Sequence, residues 1–234
     1  MTTTPIATGR PGLAPRSSRS WPLPLSLLLL SLVPIVAGTL RLVQLFGGPA
    51  IIHADQRFDS SPAPVVVHVV GAIVYAVVGA FQLVPRFRRR HLTWHRRAGR
   101  VLAVAGMLVA GSALWMTLFF AQKAGTTDLL YVLRLLFGAA MAAFLVLGVT
   151  SVRRGDIGAH RAWMIRAYAV ALAAGTQAFT VGFGGALLGT GGIRYDLFMG
   201  AAWVINLGVA EWAIRRPARR AHRSAARAAA VALP

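Results

Sequence analysis

Six long apolar stretches, near residues 22–46, 64–84, 101–121, 129–150, 163–189 and 197–214, divide this chain, and the connections between them alternate between rich and poor in arginine. The N-terminal segment holds Arg10, Arg16 and Arg19, and the connection after the second stretch holds Arg86, Arg88, Arg89, Arg90, Arg96, Arg97 and Arg100. Arg153, Arg154, Arg161 and Arg166 follow the fourth stretch, and the tail adds Arg215, Arg216, Arg219, Arg220, Arg223 and Arg227. The intervening connections hold only Arg57, Lys123 and Arg194, with Arg41 and Arg134 just inside the neighbouring stretches. Basic residues in membrane proteins collect on the cytoplasmic side. The pattern therefore predicts an all-α integral membrane bundle of six transmembrane helices, with both termini cytoplasmic, in a bacterial inner membrane.

Composition supports the same class. Hydrophobic residues make up 56% of the chain and charged residues 13%, too few polar groups to cover a soluble domain of 234 residues. The formal charge of +19 would suggest nucleic acid in a soluble protein. Here the arginines flank the spans, where they meet anionic headgroups, and no compact basic domain remains to bind nucleic acid. Membrane lipids are the expected partners; oligomeric state is not legible. The chain has no cysteine, which excludes disulfides, thiolate catalysis and cysteine-held metal.

Three regions are expected: a disordered N-terminus over residues 1–20, a transmembrane domain over 21–216 and a basic tail over 217–234, which is read as disordered or as a short helix on the membrane surface. The first span also resembles a secretory signal, with Val36-Ala37-Gly38 as a small-residue cleavage site. Its apolar character continues to Phe46, which favours a retained helix; cleavage would leave five spans. Trp21, Trp94, Trp163 and Trp212 fall at the expected cytoplasmic boundaries, as interfacial indoles do. The fifth span is long enough to tilt, or to end early in the glycine-rich run 182–192.

The histidines carry the most chemical interest. His68 lies one turn inside the second span, His91 and His95 flank Leu92-Thr93-Trp94, and His160 opens the fifth span. His95-Arg96 and His160-Arg161 each follow an arginine-rich turn and start an outward-running helix. Spans two–three and four–five accordingly read as parallel hairpin repeats. His68 with Gly71, Gly79-Ala80-Phe81-Gln82, His95-Arg96-x-x-Gly99-Arg100 and His160-Arg161-x-Trp163-Met164-Ile165-Arg166 together resemble the bacterial membrane family known as domain of unknown function 2306. The resemblance covers roughly residues 64–215 and implies a multi-pass helical protein. It brings no assigned activity and no catalytic residue.

Three function classes follow from these residues. The leading one is a haem b or other redox-type site at the cytoplasmic face, with His95 and His160 as ligands and Arg96, Arg100, Arg161 and Arg166 as a collar for an anionic group. The second is a small-solute transporter or exporter that uses polar groups within the bilayer, drawn from His68, Gln82, Arg134, Gln177, Asn206 and Glu211. On that reading Gln177 and Asn206 face a central cavity at mid-depth, and Glu211 pairs with Arg166 or Arg100. The third is a structural or assembly protein whose His-Arg pairs contact anionic lipid. A zinc or iron site from His91, His95 and His160 is disfavoured by the surrounding arginines, so no metal ligand is assigned. No hydrolase or nucleotide-binding motif is present.

Overall fold

The computed structural model describes residues 22–49, 51–53 and 55–231, with side chains as far as residue 216. The expectations for residues 1–20 and for the side chains of the tail lie outside the described residues. The elements are α1 (Pro22–Leu45), a 3-10 turn (Gln56–Phe58), α2 (Ala63–Gln82), a short α3 (Pro85–Arg90), α4 (Leu92–Phe119), α5 (Asp128–Arg153), α6 (Ile157–Leu188) and α7 (Gly192–Val231). Among the described residues there is no strand. Six of the helices are long and apolar enough to cross a membrane. Their outward faces are leucine, valine and phenylalanine, with Leu187 82% and Phe183 69% exposed. Such surfaces suit lipid as the solvent, and a helix satisfies its own backbone groups there.

Local chemistry sets the helix ends. Pro64 and Pro85 stand in the first turns of α2 and α3, where a missing N–H costs nothing. Thr127 caps α5 by accepting from the Leu129 amide, and Asp156 caps α6 by accepting from the Ala159 amide at 2.8 Å. Gly189 closes α6 with φ +75°, a conformation that favours glycine, and its amide donates to the Gly185 carbonyl.

Three helices begin before their apolar stretches: α4 at Leu92, α6 at Ile157 and α7 at Gly192, so His95-Arg96 and His160-Arg161 lie in the opening turns of the helices they were expected to start. Arginine is a good helix former, and a helix can run on past the hydrocarbon where its side chains reach water. α6 also continues through Gly182, Gly184 and Gly185, reaching 32 residues or roughly 48 Å. Gly184 gives the Phe198 ring of α7 its place, so packing holds a segment that glycine would weaken.

α4 packs between α2 and α5, α6 lies against α5 and α7, and α1 lies across α2 and α6. The core cluster runs from Leu102, Leu145 and Ala167 nearer the arginine-rich end to Val109, Ala110 and Phe137 nearer the other. That second half also leaves open space between the helices.

Candidate functional site

A cavity of about 410 Å³ opens within that second half, and all six spanning helices contribute to its wall. Ligand pockets run from about 300 to 1,000 Å³. Of the residues that border the cavity and also belong to the core, Tyr75, Met141 and Tyr168 lie farthest from the arginine-poor end and form its floor. The Tyr75 and Tyr168 rings lie 5.8 Å apart, and the Tyr168 hydroxyl donates to the Ala76 carbonyl at 2.8 Å. Gly79 makes room for the Tyr168 ring; a Cβ there would collide with it. Arg57 and Phe58 border the cavity at the arginine-poor end, and the walls between are mainly aliphatic, including Val69, Ile73, Val109 and Leu172.

Ser31 on α1 and Thr117 on α4 border this space with hydroxyls that donate to carbonyls of their own helices; His68 on α2, Arg134 on α5 and Gln177 on α6 are the larger polar side chains of the spans that border it. The His68 Nδ1 lies 3.1 Å from the Val109 carbonyl and 3.2 Å from the Ser112 hydroxyl of α4. A carbonyl only accepts, so Nδ1 carries the proton and donates, which leaves the Nε2 lone pair of the neutral ring unengaged by any described residue. Ser112 donates in turn to the Leu108 carbonyl at 2.6 Å, and this network holds the ring in one orientation. Gln177 Nε2 donates to the Met199 carbonyl at 3.3 Å, and its oxygen remains available. Arg134 also borders a second space of about 20 Å³ beside Thr126 and Tyr131.

The other singled-out residues are placed differently. Asn206 is buried away from the cavity; its oxygen accepts from Thr176 Oγ1 at 2.8 Å and its amide donates to the Ala169 carbonyl at 3.1 Å, which joins α6 to α7. Glu211 accepts from Arg166 Nε at 2.5 Å, with Arg215 at 3.3 Å, and the Arg166 guanidinium stands 4.6 Å above the Trp163 ring. Gln82 donates to the His95 carbonyl at 3.3 Å, tying α2 to the start of α4.

His160 Nδ1 donates to the Gly148 carbonyl at 2.8 Å, joining α6 to α5, while His95 Nδ1 is buried with no hydrogen-bond partner among the described residues. Arg96, Arg100 and Arg161 are exposed, and Arg166 is paired with Glu211. Neither cavity is bordered by His95 or His160. Among the described residues no three histidines or acids are grouped as a metal site.

Sequence reasoning missed Asp196, which is 0% exposed. From α7 its Oδ2 accepts from the Thr127 amide at 2.9 Å, the Thr127 hydroxyl at 2.5 Å and the Leu130 amide at 3.1 Å, capping α5 across the bundle. Its Oδ1 is buried without a partner among the described residues. The Thr127-Asp128 cap was readable locally, but a carboxylate from 69 residues away was not.

The family model described as Predicted membrane protein (DUF2306) matches residues 65–214. The chain belongs to this family. The match begins at the start of α2 and ends within α7, so it takes in five walls of the cavity and leaves α1 outside. No curated protein and no solved structure matches the chain.

Proposed function

We propose that this DUF2306 protein carries a small, largely apolar solute through or out of the membrane, and that the cavity enclosed by its six spans is the binding site. The observation that supports this reading is the 410 Å³ space with aliphatic walls and a few convergent polar groups, His68, Gln177 and Arg134. That combination suits a ligand with an apolar body and a polar end. The arginine-rich end faces the cytoplasm and meets anionic headgroups in this proposal, so the cavity is nearer the opposite leaflet. Ala72 borders the cavity one turn from His68. In nanodiscs, Ala72→Phe should cut the binding of an environment-sensitive apolar fluorophore about tenfold or more while the helical circular dichroism stays unchanged. Unaltered binding would overturn the reading.

The buried, unpartnered His95 Nδ1 favours a second proposal, a redox centre at the arginine-rich end with His95 and His160 as ligands. Purified protein with a Soret band that shifts on dithionite reduction and is lost in His160→Ala would establish it. A colourless preparation without bound metal would remove it.

A further inference from the structure

The charges at the arginine-poor end do not balance locally. Arg41 donates to Gln44 at 2.7 Å and to the His53 carbonyl at 2.8 Å. Arg57 is paired with Asp55 and donates to the Ala121 carbonyl at 3.0 Å. Arg194 donates to the Leu188 carbonyl at 2.6 Å, and Lys123 stands 5.7 Å above the Tyr195 ring. Among the described residues Arg134 alone of these cations has no hydrogen-bond, ion-pair or aromatic partner, although it is half-buried in a span and borders the cavity. None of the neighbouring acids is hydrogen-bonded to it: Asp55 is bonded to Arg57, Asp128 to Gln122, and one oxygen of Asp196 to the N-terminus of α5, so Asp196 and Asp55 act on Arg134 only from a distance. A guanidinium cannot lose its proton and is costly in a low-dielectric span without a counter-charge.

We infer that the solute is a single-chain amphiphile with an anionic headgroup, which pairs with Arg134 while its alkyl chain fills the cavity toward Tyr75 and Tyr168. This rests on the cavity being the binding site. His68 and Arg134 lie five and six residues from the arginine-poor ends of α2 and α5, roughly 8 and 9 Å along each helix, so both stand at a similar depth inside the span, within reach of a headgroup drawn in from that end. A planar guanidinium suits a carboxylate or phosphate, because it donates two parallel hydrogen bonds. Asp196 does not cancel this attraction: its Oδ2 is held by two amides and a hydroxyl at the positive end of α5, and it does not border the cavity.

The test uses the full chain in zwitterionic nanodiscs with two photoreactive probes, a diazirine-bearing laurate and the matching dodecanol, with cross-linked peptides mapped by mass spectrometry. Laurate should label the cavity segments of α2, α5 and α6 more strongly than dodecanol. Arg134→Gln should reduce laurate labelling about tenfold or more, the scale of a lost charged hydrogen bond, and leave dodecanol unchanged. Arg134→Lys should keep most of the preference, which separates charge from a folding defect. A dodecyl phosphate probe that outcompetes laurate would assign the headgroup as phosphate in place of carboxylate. Equal labelling by acid and alcohol, indifferent to Arg134→Gln but blocked by Ala72→Phe, would overturn the anionic headgroup and leave the carrier reading standing. Labelling of neither kind in the cavity would end both.

Discussion

At the scale of single residues, the spans use polar groups chiefly as ties between helices. Asp196 is the clearest, a carboxylate at the positive end of a neighbouring helix that satisfies amides the helix cannot satisfy itself. Asp196→Ala should lower stability by about 1–3 kcal/mol, the cost of leaving buried donors unpaired, measured by SDS unfolding titration. Asp55 offers a pH test outside the spans. Its hydrogen bond to Arg57 holds the carboxyl below the ordinary aspartate range, against the opposing effect of partial burial. A carboxylate depressed in the folded state contributes stability above its unfolded value and loses it as pH falls through the folded value. A carboxyl-carbon NMR titration should find Asp55 depressed, and Arg57→Gln should return it toward that of a free aspartate. The sequence reading singled out neither acid: Asp55 finds Arg57 two residues away in the same turn, whereas Asp196 finds the start of α5 only through the tertiary fold.

At the scale of elements, α1 differs from the other spans. It contains Pro34, which has no amide hydrogen, so the Leu30 carbonyl one turn earlier is left without its helical donor. That carbonyl approaches Gly175 of α6, where any Cβ would collide with it. Small residues let backbones come this close in lipid. Gly175→Val should therefore push α1 off α6 and cost about 1–3 kcal/mol by overpacking, again read by SDS titration; an unchanged midpoint would show that α1 is held elsewhere. The number of spans was readable from apolar length alone. The early starts of α4 and α6 were not, because arginine-rich turns read as loops even where the backbone stays helical.

At the scale of the whole molecule, the bundle's core runs through both halves, and the cavity lies in the arginine-poor one. The absence of cysteine makes orientation directly testable. Single replacements Arg90→Cys and Lys123→Cys should label oppositely with a membrane-impermeant maleimide in intact cells, with Lys123→Cys reactive and Arg90→Cys reactive only after permeabilisation. The reverse pattern would invert the proposed topology. His68, Arg134 and Gln177 were singled out from sequence as polar groups in apolar helices, and they share one cavity. Asn206 was singled out on the same grounds but serves a helix contact, and Tyr75, Tyr168 and Trp203 border the cavity without having drawn notice.

The sequence alone determined the membrane class and the number of spans, because these depend on a local quantity, apolar length against bilayer thickness. Only the tertiary structure decided where space is left between the helices and which polar groups remain without partners. Those depend on side chains from six helices meeting in three dimensions, and on whether a carbonyl or carboxylate distant in the chain comes within reach.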